Sequence, residues 1–391
     1  MSDLAPGVWV DLVGQQPAVA VLRRAAAAAE AGRHGEPGTG MTHAWLVTGP
    51  PGSGRSTAAR AFAAALQCPN GGCGECPACH TVLAGTHADV EVVNTRKLSI
   101  GVPDARALVS RAARYPSGGR WQVMVVEDAD RLTDPAGNAL LKAIEEPTPH
   151  TVWLLCAPAV EDVLPTIRSR CRHLSLRTPP TEAVAEVLVR RDGVDPAMAA
   201  FAARAAQGHI GRARRLATDE DARLRRHAVL RLPLSLGELS GALQAAGDLV
   251  DAATAEANEQ AATLATTEAE EMRRGLGVGP GGRQPAGAAA ALKDLEKEQK
   301  ARATRTKRDS IDRALVDLAG FYRDVLAVQA DAAVELVNDE MRDAVVGIAR
   351  ASTPESTLRR IDAILAARTA IGANVAPLLA VEAMTVGLRR G

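Results

Sequence analysis

The hydrophobic positions of this chain fall into two patterns, and the change from one to the other divides it. Up to residue 178, short unbroken apolar runs alternate with longer stretches of helical spacing. The runs are Trp45-Leu46-Val47, 90–94, 121–126 (with Val123-Met124-Val125-Val126 at its centre) and 151–156. Each has the length and the continuous apolar character of a strand buried on both faces. Between them, 11–31, 58–66, 104–115, 133–146 and 160–164 carry the periodicity of helices. The first, marked by Leu12, Val13, Val19 and Leu22, is predicted to begin near Gly14. Thr133-Asp134-Pro135 is a polar cap followed by proline at a first-turn position, and Pro147 stops that helix. Strands alternating with helices predict a parallel α/β sheet, whose ligands bind at the carboxyl ends of the strands.

From Thr178-Pro179-Pro180 onward only helical periodicity continues. The expected fold class is therefore α/β plus all-α. An α/β domain is expected over 1–178, and a small helical lid domain over 179–220 that contains the turn Gly208-His209-Ile210-Gly211. A helical domain over 221–391 would follow, with an insertion at about 275–308. That insertion opens with a Gly/Pro-rich segment, 275–287, of the composition of a mobile loop, and continues into a charge-dense stretch, 293–308.

Composition narrows the function classes. With 391 residues, 47% of them hydrophobic, the chain can bury the cores of two or three domains. Its formal net charge is zero, so no global field draws it to nucleic acid, and DNA contact would have to come from local patches or partner subunits. The 293–308 stretch does not read as such a patch, because Asp294, Glu296 and Glu298 dilute its positive charge and no aromatic side chain is interleaved. A solvated helix or a partly disordered excursion fits it better. There is no uncharged apolar run of about 18 residues, and Asp3 and Asp11 do not suit a signal-peptide layout. A cytoplasmic protein with no membrane partner is expected. The basic residues are 40 Arg and only 6 Lys, a bias toward Arg wherever charge alone is needed.

Candidate chemistry begins at residues 49–57, Gly-Pro-Pro-Gly-Ser-Gly-Arg-Ser-Thr, which follow an apolar strand and precede an alanine-rich helix. This fits the loop G-x-x-x-x-G-K-[ST], in which backbone N–H groups and a helix N-terminus hold phosphates and a hydroxyl reaches Mg²⁺. Gly49, Gly52, Gly54, Ser56 and Thr57 stand where that pattern needs them, but Arg55 takes the lysine position. A planar guanidinium does not replace a compact ammonium conservatively, although the chain's preference for Arg is a bland source of the same change. Glu127 and Asp128 end the run 123–126. An acidic pair there is where a nucleotide hydrolase holds Mg²⁺ and polarises water, although a hydrolase wants Asp before Glu. A strand end that simply prefers solvent accounts for the pair equally well. Cys68, Cys73, Cys76 and Cys79 give C-x4-C-x2-C-x2-C among glycines and prolines. Four thiolates at this spacing suit a closed, structural Zn²⁺ site. A ferredoxin-type run would place its fourth Cys downstream before Pro, and a disulfide framework does not suit a cytosolic chain. Cys156 and Cys171 read as small core residues.

In order, the glycine loop, the four-cysteine insert, the acidic strand end, the run Asn138-Ala139-Leu140-Leu141-Lys142-Ala143-Ile144-Glu145-Glu146-Pro147 and the triplet Ser169-Arg170-Cys171 resemble bacterial clamp-loader subunits of the AAA+ class. The resemblance covers about the first 215 residues. It implies a P-loop-type sheet domain, a helical lid and a helical collar. It also implies gamma/tau and delta subunits, a beta sliding clamp and, through the complex, primed DNA as partners. Within the family an ATP-hydrolysing motor competes with a stator-like subunit. The departures at Arg55, Glu127-Asp128, Cys156-Ala157-Pro158 and Gly211, where a sensor arginine would align, resemble the stator. Hydrolysis of its own ATP is then not expected, although ATP and Mg²⁺ could still bind. The resemblance makes Arg170 a trans-acting arginine finger for a neighbouring motor. A zinc-stabilised DNA-binding module is the reading from another class.

Overall fold

The structure is a computed structural model that describes residues 7–34, 40–94, 99–118, 120–275 and 288–391. The Gly/Pro-rich segment expected to be mobile lies, from residue 276 on, outside the described residues. Two compact units divide the chain after Thr218.

In the first unit, helix α1 (Gln16–Arg33) leads to strand β1 (Ala44–Thr48) and helix α2 (Arg55–Gln67), and the short α3 (Pro77–Leu83) closes the cysteine-rich insert. Then follow β2 (Val90–Val93), α4 (Val102–Ala112), β3 (Gln122–Val126), α5 (Asp134–Glu145), β4 (Thr151–Ala157), α6 (Pro165–Arg168) and β5 (Arg172–Ser175). The five strands form one parallel sheet in the order β2-β3-β4-β1-β5. Strands β1, β3 and β4 are buried along their whole length, as their continuous apolar runs require. Side chains of a strand alternate between faces. Trp45 and Val47 accordingly join one core with Leu22, Phe62 and Leu66, while Ala44 and Leu46 join the other with Leu140, Ile144 and Ile167. Helices α7 (Thr181–Asp192), α8 (Pro196–Ala206) and α9 (Ile210–Thr218) complete the unit.

The expected α/β plus all-α class is what the chain adopts, with three local departures. Residues 160–164 are not helical, and the helix starts instead at Pro165. Proline lacks the N–H that a helix interior needs, yet its fixed φ suits the first turn, so it begins the helix. The same device starts α1 at Gln16, with Pro17 in its first turn, later than Gly14. Strand β5 has no apolar run to announce it, because at the sheet edge only Leu174 of its four residues is buried.

The second unit contains α10 (Glu220–Arg231), α11 (Leu239–Gly275), α12 (Ala288–Gln329), α13 (Arg342–Ala351), α14 (Pro354–Gly372) and α15 (Pro377–Arg390). The charge-dense stretch 293–308 is part of α12. There Arg302 donates to both carboxylate oxygens of Glu268 on α11, at 2.7 and 3.1 Å. Inside this unit a charged network is buried. Arg226 donates to Asp317 at 3.2 Å and also to Glu340 and Asn338. Asn338 in turn donates to Asp324 through its backbone N–H at 2.7 Å and its amide at 2.9 Å. Asp324 and Asn338 are fully buried. Truncating Arg226 removes the cation that neutralises the buried Asp317 carboxylate and the donor that satisfies Asn338. Arg226→Ala is therefore expected to destabilise the protein by about 3–5 kcal/mol in denaturant unfolding. A change under about 1 kcal/mol would mean that water reaches the network freely.

No helix among the described residues is long and apolar enough to cross a membrane.

Candidate functional site

The glycine loop joins the carboxyl end of β1 to the N-terminus of α2, as its sequence predicts. Gly52 (φ 84°) and Gly54 (φ 91°) adopt left-handed conformations that only glycine takes without strain. Space excludes a side chain at Gly52 as well. A Cβ there would stand 2.4 Å from the Cα of His209, which the turn between α8 and α9 brings directly against the loop. His209 is held in place as its Nδ1 accepts the Arg212 N–H at 3.2 Å. From the other side the buried Gln15 amide donates to the Ser53 carbonyl at 3.2 Å and the Arg177 carbonyl at 2.6 Å.

Several of the loop's polar groups are engaged within the chain, although the Ser53 hydroxyl is buried without a partner among the described residues. The Arg55 guanidinium folds back and donates through Nη1 to the Gly49 carbonyl. The Gly49 N–H donates to the Pro158 carbonyl at 3.2 Å and the Ser53 N–H to Pro50 at 3.0 Å. Ser56 and Thr57 open α2 and are half-buried, in the position from which a hydroxyl would meet a metal.

Glu127 and Asp128 follow β3, and neither is a bare solvated carboxylate. Glu127 Oε1 accepts from Arg60 Nε at 2.7 Å, with its side chain only 10% exposed. Asp128 pairs with Arg131 at 3.7 Å. On the neighbouring β4, Cys156 is buried, and its thiol is pushed up to about 12 by that burial and then by the nearby Glu127 carboxylate. A neutral thiol, followed by Ala157 and Pro158, occupies the end of β4 beside the glycine loop.

Arg170 lies at the other end of the sheet. Parallel pairing sets Arg172 beside Trp45, so Arg170 falls near the level of His43, at the amino end of β1. The glycine loop leaves the carboxyl end, and at about 3.3 Å per residue the separation along the strand is on the order of 20 Å. The side chain is 38% exposed. Its Nε donates to Glu145 at the end of α5, and its Nη1 donates to the Thr166 carbonyl at 2.8 Å and Ser169 Oγ at 3.1 Å.

The four predicted cysteines converge, with all four sulfurs within 4.8 Å of one another. The Sγ–Sγ distances Cys68–Cys73 and Cys68–Cys76 are 3.6 and 3.7 Å. A tetrahedron of sulfurs about 2.3 Å from one Zn²⁺ has edges of roughly 3.8 Å, so the donor set and its spacing fit that ion. Backbone N–H groups point at the sulfurs: those of Asn70 and Cys73 at Cys68, of Gly74 at Cys79, and of Cys79 at Cys76, all at 3.3–3.4 Å. Burial raises the Cys68 thiol, but the N–H groups of Cys73, Gly72 and Asn70 outweigh it and bring the net value down to about 6. The cysteine loop also holds the segment around Val8, because the Val8 N–H donates to the Gly72 carbonyl at 3.1 Å.

Three residues of the site were not legible beforehand. Arg60 carries no signal among so many arginines, His209 was visible only as part of a turn, and Glu145 only as part of a sequence run. Their partners are 67, 157 and 25 residues away in sequence.

The family profile described as "DNA polymerase III, delta subunit" matches residues 37–180. The chain is similar to DNA polymerase III subunit gamma/tau of Mycobacterium tuberculosis, at 35% identity over 190 residues, 47% of this chain and 31% of that protein. It is similar to DNA polymerase III subunit delta' of Pseudomonas aeruginosa, at 38% identity over 163 residues, 40% of this chain and 50% of that protein. The chain thus spans only 31% and 50% of the lengths of these two curated relatives. Among solved structures, a DNA polymerase III gamma subunit-related protein from Thermotoga maritima covers 88% of this chain and 93% of its own length, at 16% identity and a TM-score of 0.37, a likeness too low to argue from.

Proposed function

Because residues 37–180 carry the DNA polymerase III clamp-loader family's domain, we propose that the chain is the delta prime subunit of a bacterial clamp loader. In this reading it is a stator-like subunit that hydrolyses no ATP of its own. It assembles with gamma/tau and delta subunits and helps load the beta sliding clamp onto primed DNA. Arg170 enters the ATP site of an adjacent gamma/tau subunit, where a guanidinium neutralises charge building on the transferred phosphoryl group. The 179–220 helices act as lid and the region from 221 as the collar that assembles the ring. The four cysteines hold a structural Zn²⁺.

One observation carries the proposal. The carboxylate that a hydrolase would keep for Mg²⁺, Glu127, is already neutralised by Arg60 of the same chain at 2.7 Å. Binding the metal there would require breaking that pair and leaving a guanidinium beside a dication, which Coulomb repulsion opposes. The fold-back of Arg55 onto Gly49 points the same way. If nucleotide enters the loop, Arg55, Ser56, Thr57 and the glycines are the groups that meet it.

The competing reading, a gamma/tau motor, draws on the 35% identity to the mycobacterial protein. Hydrolysis by the purified chain alone separates the two. No turnover above background is expected. Arg55→Lys is expected not to restore any, because Arg60 still holds Glu127. Turnover on the order of one per second, abolished by Arg55→Ala, would establish the motor instead.

A further inference from the structure

Arg170 is held by an arrangement that decides which of its N–H groups remains available. The guanidinium has five donors in a fixed plane. Glu145 takes the one on Nε, and the Thr166 carbonyl and Ser169 Oγ take those on Nη1, at 2.8 and 3.1 Å. Among the described residues Nη2 makes no hydrogen bond. Two of the three anchors come from the turn that bears Arg170 itself. The third, Glu145, comes from a separate element, the last residue of α5, whose preceding turn is seated in the core by Ile144. The pair is ionic, so it fixes the guanidinium relative to the sheet domain and not merely relative to its own turn.

From this geometry we propose that Glu145 is the positioning residue for Arg170, orienting the plane so that the paired Nη2 donors face a neighbour's phosphate. The proposal rests on the arginine-finger reading of Arg170. Glu145 does not touch the nucleotide. It raises the fraction of time the finger spends in the productive orientation, and so acts on kcat and not on the motor's affinity for ATP. An ion pair with both side chains about 40% exposed has a modest hold. Its loss should therefore lower kcat by about fivefold and not abolish it.

The test uses the reconstituted loader, with DNA- and clamp-stimulated ATP hydrolysis measured over a range of ATP concentrations and assembly checked by gel filtration. Glu145→Ala is expected to assemble and to lose about fivefold in kcat at unchanged KM. Glu145→Asp keeps the charge but is one methylene short, and is expected to lose a similar amount. Glu145→Gln keeps an acceptor oxygen but loses the charge, and its kcat should fall between those of Glu145→Ala and the wild type. In an Arg170→Ala background, Glu145→Ala should have no further effect. Wild-type or higher kcat in whichever of the Ala and Asp variants assembles overturns the positioning role, as does a further loss in the Arg170→Ala background. If Arg170→Ala by itself leaves hydrolysis unchanged, the finger reading fails, and this proposal falls with it.

Discussion

Arg170→Ala is expected to leave complex assembly intact while DNA- and clamp-stimulated ATP hydrolysis by the reconstituted loader falls. At a neighbouring ATP site that this guanidinium would enter, the loss should be on the order of 10³ to 10⁵ in rate, the range of trans-acting arginine fingers. The size of the effect follows from where the group acts. Charge accumulates on phosphoryl oxygens only as the transition state forms, so a cation placed against them stabilises that state more than bound ATP. Assembly should survive because Arg170 supports none of the fold's buried contacts: its side chain is 38% exposed and its ion pair with Glu145 lies at the surface. Register provides the second argument. Arg170 sits at the amino end of the parallel sheet and the glycine loop at the carboxyl end. The side chain cannot serve this chain's own loop. Unchanged hydrolysis by the Arg170→Ala complex would remove the residue from the mechanism. Loss of the complex itself would make Arg170 an interface residue and not a finger.

What could be seen in advance tracks how local each determinant is. β1, β3 and β4 were legible because burial on both faces demands unbroken apolar runs, and Trp45-Leu46-Val47 and Val123-Met124-Val125-Val126 supply them. β5 was not, since an edge strand with one buried side chain needs only Leu174. The start of α5 could be read from Thr133, whose hydroxyl accepts the Ala136 N–H at 3.4 Å. The apolar spacing of 160–164 suggests a helix there, but proline suits only a first turn, so α6 starts at Pro165. The same distinction holds within the site. Residues 49–57 and 68–79 are each contiguous, so turn and ligand chemistry could be read directly. The pairing of the acidic strand end could not be read that way. The inverted order Glu127-Asp128 is visible in the sequence, but the contact of Arg60 with Glu127 depends on where α2 passes over β3. His209 against Gly52 depends likewise on the placement of the helices after the sheet.

Protein purified under reducing conditions is expected to carry one zinc per chain by elemental analysis, and Cys76→Ser to lose it. The consequence should be large but confined. Zinc binding to small zinc-finger peptides is worth on the order of 10–16 kcal/mol, and there it is the folding energy itself. Here the four cysteines sit on a unit with two hydrophobic cores of its own, so most of the sheet would not need the metal. The part that would is the insert between α2 and α3. With Cys68 and Cys79 buried, four sulfurs drawn within 4.8 Å and no disulfide among them, the metal-free state leaves a cluster with nothing at its centre. The Val8 to Gly72 hydrogen bond hangs on the same loop. Chelation or Cys76→Ser should therefore open residues 68–79 to proteolysis and lower the thermal midpoint, while the far-ultraviolet circular dichroism of the remaining helices and sheet persists. Iron in place of zinc, or metal-free protein whose insert resists protease as well as the wild type does, would contradict a structural zinc. Full unfolding on chelation would contradict the confinement, and would mean that the cores around Leu22, Phe62 and Leu66 depend on the insert to close.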